Sequence, residues 1–309
     1  RRMLRRAVVA LLILATLLLA GVGAWALWPS PSFVPDVVPV HAAGDLPAPP
    51  ADRFAELAAT DPVAMFDACL SKYQREVKGF SAVLVKRERV GGKLHPPEKV
   101  RLAVWGDVPG PDEKTATHVR MIWDEGAKGD GLGILEKKVQ GVLYVEPAAA
   151  TKMTLYRPGA LLNLPVGIKD AKARESSRYC VTDAGLYRGM LRTFAAWKAR
   201  KEAGELVTEY LGKRAVAEVG GRECYVVKRA CKTAEVDSFA LDEKADPKQL
   251  AQDGFTEVTV MIDAERWLQV GTVIRRADGE LVGEYYFRDV ELRTEPFPPD
   301  TFKPEALRK

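Results

Sequence analysis

Histidine is nearly absent. His41, His95 and His118 are the only three in 309 residues, and none stands in H-E-x-x-H or beside a serine motif. The chain also lacks G-x-S-x-G, the Walker loop and C-x-x-C. The common signatures of hydrolases, nucleotide-binding proteins and dithiol oxidoreductases are therefore missing. "GAKGDGLG" at 126–133 comes nearest to a nucleotide fingerprint. The residue three after Gly131 is Ile134, however, so the stretch reads as a flexible loop between strands. Asn163 is the only asparagine, and with abundant Ala and Arg this reads as coding bias. A strong excess of either charge is missing too. Of the net +4, residues 1–52 hold +1 (four Arg, three Asp), which leaves +3 for the rest, with no basic stripe interleaved with aromatics. That excludes a nucleic-acid partner. No catalytic residue, metal site or cofactor is expected.

At 47% apolar and 28% charged, the chain is globular rather than disordered. Its start reads as an address. Arg1, Arg2, Arg5 and Arg6 precede Ala7–Trp28, which is 22 residues without a charge. As a helix it would measure about 33 Å, enough to cross a bilayer. The basic flank would stay cytoplasmic and place the remainder outside. Residues 1–28 read as an uncleaved anchor in the inner membrane, with the C-terminal domain in the periplasm. The alternative is a signal peptide cleaved near Ala24-Trp25-Ala26, which would release the domain to the periplasm. Residues 29–52 carry seven prolines and read as an extended tether.

The folded part, 53–309, alternates helix and meander. Asp61-Pro62 starts a helix carrying Val63, Phe66, Leu70, Tyr73 and Val77 at helical spacing. Gly91-Gly92, Gly220-Gly221 and Asp278-Gly279 punctuate alternating segments and predict hairpins. Further strands are expected at 118–123, 141–146 and 152–157, with mostly loop over 158–178. A second helix starts near Asp183, read as its cap, with the stripe Leu186, Met190, Phe194 and Trp197. The polar segment 241–254 is read as a surface excursion holding a short helix. Helices do not intervene between successive strands, so the sheet is antiparallel. Eight to eleven such strands imply a strongly curled sheet roofed by the two helices, an α+β architecture.

Cys69, Cys180, Cys224 and Cys231 allow three disulfide pairings, one bridge, or free thiols; composition does not choose. On one continuous strand, Cys224 and Cys231, seven apart, would face opposite sides. Asp289 stands as a candidate inward carboxylate beside Tyr285 and Phe287. The aromatics, Trp105, Trp123, Trp197, Trp267, Tyr285, Tyr286 and Phe287 among them, either pack as core or line a pocket for an apolar ligand.

Several blocks in order, "YQREVKGFSAVLVKRERVGGKL", "VRLAVW", "VRMIW", "TLYRPG" and "SRYCVTDAGLYRGMLRTF", carry a resemblance. From roughly Phe66 to Phe302 the chain resembles a bacterial envelope family of unknown function, domain of unknown function number 1571. Through its architecture that family is distantly similar to the LolA/LolB lipoprotein carriers. "GGRECYVVKRA" and the run from Met261 through Leu292 to "FKP" are similar to that group's strand endings. The resemblance implies a half-barrel with helices as a lid and an apolar cavity for acyl chains. It carries over no catalytic residue. The tether and segment 241–254 depart from the carrier pattern, which leaves room for another use of the fold.

The reading that follows is a non-enzymatic, membrane-tethered envelope protein holding a lipid, a lipoprotein's acyl chains or another apolar ligand. Leu186, Met190, Phe194, Trp197, Val258, Val260, Ile262, Tyr285 and Phe287 are the expected lining. One alternative is a solidly packed structural or sensory protein that binds an envelope protein through its sheet. The other is an enzyme on an envelope polymer, which requires convergent carboxylates in a cleft. A hollow or a filled interior separates the first two.

Overall fold

The computed structural model describes residues 51–108, 117–125, 139–145, 151–158 and 164–308, all within the chain's second unit, Val38–Lys309. The expected anchor at 7–28 and residues 29–50 of the expected tether at 29–52 lie outside the described residues. Among the described residues, no helix is long and apolar enough to cross a membrane.

The chain opens with α1 (Ala51–Thr60), a helix that reaches into the stretch expected to be tether. Its alanine-rich sequence favours helix, and two buried residues, Phe54 and Ala58, fasten it. The Phe54 ring stacks on Trp267 at 4.6 Å. Helix α2 (Pro62–Glu76) begins as its sequence signals: Asp61 Oδ1 accepts from the Ala64 N–H at 3.1 Å, and Pro62 occupies the first turn.

Six strands follow: β1 (Gly79–Val90), β2 (Lys93–Leu94), β3 (Glu98–Trp105), β4 (His118–Glu125), β5 (Gly141–Val145) and β6 (Lys152–Tyr156). Residues 158–178, expected as loop, hold β7 (Leu164–Gly167) and the short α3 (Ala171–Ser176). Helix α4 (Leu186–Glu202) leads into β8 (Val207–Val216) and β9 (Arg222–Glu235). A short α5 (Pro247–Asp253) precedes β10 (Phe255–Asp263), β11 (Gln269–Arg275) and β12 (Leu281–Arg293).

The strands form one antiparallel sheet in the order β7-β6-β5-β4-β3-β1-β12-β11-β10-β9-β8, with β2 paired to β1. The glycine turns deliver their hairpins: Gly91, Gly92, Gly220 and Gly279 all sit at positive φ. Segment 241–254 does more than cover the surface. Its terminal Asp253 is buried and accepts from the N–H groups of Gly91 and Gly92, each at 2.8 Å, clamping the β1–β2 turn. Asp289 does not point inward. It is exposed at φ 51, in a bulge of β12 opposite Ser81 and Val83.

Helices α2 and α4 pack on one face of the sheet. Trp197 meets Phe66 edge to face at 5.3 Å. The start of α4 is held in an unexpected way. Asp183 is not its cap; it lies in a 3₁₀ turn (Val181–Asp183) and pairs with Arg192 at 2.9 Å. Gly185 occupies the cap position and has no side chain to offer. Asp107, fully buried in the loop after β3, accepts from the Tyr187 N–H at 3.2 Å and from the Tyr73 hydroxyl. It therefore supplies the cap from a distance and ties α4 to α2. A Cβ at Gly185 would lie 2.5 Å from Asp107 Oδ2, so only glycine leaves that carboxylate room.

Burial pushes the Asp107 carboxyl up to about 6, against the pull of its hydrogen bonds and of Arg188. The folded state thus binds this proton more tightly than an ordinary carboxyl of 3.8 does. The stability it contributes is full below about pH 4 and is lost as pH rises through about 6. From well below pH 4 to well above pH 6 the native chain should lose roughly 3 kcal/mol of unfolding free energy relative to Asp107→Asn, about 2 kcal/mol of it between pH 4 and 6. Paired urea titrations across that window check this; parallel pH dependences would contradict it.

Candidate functional site

The face that carries α2 and α4 is solid at one end and hollow at the other. At the solid end Phe80, Val104, Val260 and Ile262 are fully buried in one core with Phe66, Leu70, Met190 and Phe194. At the hollow end lies a cavity of about 960 Å³. Its lining comes from nearly the whole sheet, from Val166 on β7 to Arg229 on β9. Laid flat at about 4.8 Å per strand, those ten neighbouring strands would extend roughly 43 Å, whereas a sphere of 960 Å³ is about 12 Å across. The sheet therefore bends around the space.

The expected lining divides. Leu186, Trp197, Val258, Tyr285 and Phe287 do line the cavity. Met190, Phe194, Val260 and Ile262 lie in the solid core instead. On α4 the cavity-facing residues are Leu186, Gly189, Thr193, Ala196 and Trp197. Leu186 and Trp197 belong to both faces, while Gly189, Thr193 and Ala196 each precede a stripe residue by one position and so sit about 100° around the helix from it. The reason is volume: Met190 and Phe194 fill space against the neighbouring elements, while Gly189, Thr193 and Ala196 leave it empty. A Cβ at Gly189 would meet no atom within 4 Å.

The walls differ in chemistry. Strands β4 to β7 and the residue after them contribute Met121, Val142, Met153, Leu155, Val166 and Ile168. The wall from β1 and β12 is polar, and sequence reasoning missed it. Leu84, Lys86 and Glu88 share one face of β1, opposite Phe287, Tyr285 and Gly283 of β12. Lys86 Nζ lies 2.7 Å from Glu88 Oε2 and 3.9 Å from Glu98 Oε2. The Tyr285 hydroxyl donates to Glu88 Oε1 at 3.0 Å, and Trp123 Nε1 donates to Glu98 Oε2 at 2.7 Å.

Segments 177–185 and 235–239 close over this wall. Tyr179 OH donates to Asp237 Oδ2 at 2.6 Å, the Cys180 N–H donates to the Phe239 carbonyl at 2.8 Å, and Arg192 lies over the Tyr179 ring. Burial first, and then Glu88 and Asp237 respectively, hold the Tyr285 and Tyr179 phenols well above their ordinary range. Both therefore stay protonated hydrogen-bond donors.

Cys69, Cys180, Cys224 and Cys231 are free thiols. Burial pushes all four up, Cys231 to about 11, so none is held as a thiolate near neutral pH. Neither His95 nor His118 lines the cavity. Among the described residues, no group of three or more His, Cys, Asp or Glu is arranged to hold a metal ion.

A family model described as "Protein of unknown function (DUF1571)" matches residues 77–305. No curated protein matches the chain. Solved structures that resemble it include a DUF1329 family protein from Desulfovibrio piger, 12% identical over 84% of this chain and 99% of that one, with a TM-score of 0.36. A chain of the Pseudomonas aeruginosa MucA/MucB complex is 14% identical over 80% and 62%, TM-score 0.40. LprF from Mycobacterium bovis is 13% identical over 82% and 99%, TM-score 0.38. At identities and scores this low, no functional conclusion follows from them.

Proposed function

The chain belongs to the DUF1571 family of proteins of unknown function, and on that premise we propose that it is a non-catalytic binding protein of the bacterial envelope that holds an apolar chain in its cavity. The observation that carries this reading is the hollow itself. A sheet with two helices over it could have closed into solid core, as it does around Phe66 and Phe194, yet about 960 Å³ stays open beside an apolar wall. That volume stands at the upper end of the ~300–1,000 Å³ typical of small-molecule sites. We read the curled sheet and its helical roof as a half-barrel of the lipoprotein-carrier kind. Residues 7–28 would hold it at the membrane and 29–50 would space it from the surface. The carboxylates that converge on the cavity do not favour acid–base chemistry: Glu88, Asp183 and Glu235 each have a basic partner within 4 Å.

Titrating the full chain with a fluorescent fatty-acid probe such as cis-parinaric acid tests the proposal. Saturable binding at one probe per chain is expected, with enhanced emission from a dry environment. No enhancement up to the solubility of the probe would remove the proposal.

A further inference from the structure

On the reading that an apolar chain occupies the cavity, we infer that its ligand is an amphiphile whose head group is uncharged and rich in hydroxyls, held against the wall of Lys86, Glu88, Tyr285, Asp237 and Arg192. Three observations lead there.

The cavity is two-sided. Its β4–β7 side is mainly apolar, with Arg157 just after β6, whereas β1, β11 and β12 and the segments closing over them present charged groups, phenols, Gln269 and Thr272. A purely apolar ligand would strand those polar groups against hydrocarbon, at a cost for each. A ligand with one polar end meets both walls.

The polar wall is also neutralised from within. Lys86 pairs with Glu88 and approaches Glu98, Arg192 pairs with Asp183, and Arg229 with Glu235. Behind them, Arg200 reaches Glu235 at 3.0 Å and Arg178 lies 3.7 Å from Asp237. Lys86, Arg178, Arg192, Arg200 and Arg229 thus face Glu88, Glu98, Asp183, Glu235 and Asp237, five charges against five. A charged head buried there would find no uncompensated partner and would lose its hydration.

Hydroxyls suit such a wall. The Asp237 carboxylate, which accepts from the Tyr179 hydroxyl through one oxygen, keeps acceptor positions open for them. The Tyr179 and Tyr285 rings, 5.5 Å apart, both line the cavity beside it. The remaining cations among the lining residues, Lys172 and Arg157, are exposed and half-buried respectively.

The test is competition on the full chain carrying the bound fatty-acid probe. The competitors share a twelve-carbon tail and are used below micelle formation: dodecyl maltoside, dodecyl phosphate and dodecyltrimethylammonium. The maltoside is expected to displace the probe at concentrations about tenfold lower than either ion. Glu88→Gln leaves the wall one positive charge in excess and should shift the preference toward the phosphate by about tenfold; Lys86→Gln should shift it toward the ammonium by a similar factor. Opposite shifts from two neighbouring residues are not what loss of structure would produce. Equal or better competition by a charged amphiphile on the native chain overturns the inference while leaving the cavity proposal standing. So do variants that keep the native preference. Failure of the probe itself to bind overturns both.

Discussion

Gly189→Trp is expected to weaken binding of a fatty-acid probe at least about a hundredfold, close to 2.7 kcal/mol, with no loss of thermal stability. Gly189 is the fourth residue of α4, a helical position at which glycine is unfavourable by up to about 1 kcal/mol relative to alanine. A Cβ there faces open space, and the residue lines the cavity. An indole would occupy volume the ligand needs, and it would bury apolar surface of its own. Gly189→Ala is the control. It should raise unfolding free energy by about 0.5–1 kcal/mol and leave the probe affinity close to native. Equal affinities for the native and tryptophan forms would place the ligand elsewhere.

Trp197→Ala is expected to cost about 3–5 kcal/mol of unfolding free energy, measured by urea denaturation. Trp197 is 1% exposed and packs edge to face on Phe66, joining α4 to α2. Its other side borders the cavity. Removing the indole therefore does not create a void that neighbours can collapse into; it enlarges one that is already open. The loss should fall at the upper end for a core aromatic and be much smaller for Trp197→Phe. A cost under about 1 kcal/mol would mean that the cavity boundary is not where the structure puts it.

The architecture was legible in the sequence because its signals are local. Gly91-Gly92, Gly220-Gly221 and Asp278-Gly279 marked hairpins that the structure contains, and the Asp61-Pro62 start of α2 needed only capping chemistry. Helix α1 was hidden by its small residues beside a proline-rich stretch, and α3 and β7 are too short to establish a period.

The site was harder to read, since periodicity finds side chains that fill space and a cavity is made by those that do not. Met190 and Phe194 announced α4, yet Gly189 and Thr193 border the hollow. The face of β1 changes from Phe80, Ala82 and Leu84 to Lys86 and Glu88. In sequence that change looks like a strand emerging into water. In the structure the same face continues into the cavity, where both charges are buried and paired. Asp107 could not be recognised as the cap of α4, because the two lie some eighty residues apart.

Native mass spectrometry of the full chain, incubated with a single-tailed amphiphile and then freed of excess, addresses the central claim most directly. One retained amphiphile per native chain, and none on Gly189→Trp, is the predicted result. A native chain that leaves the incubation at its bare mass, or that retains as much amphiphile after Gly189→Trp as before, would contradict it.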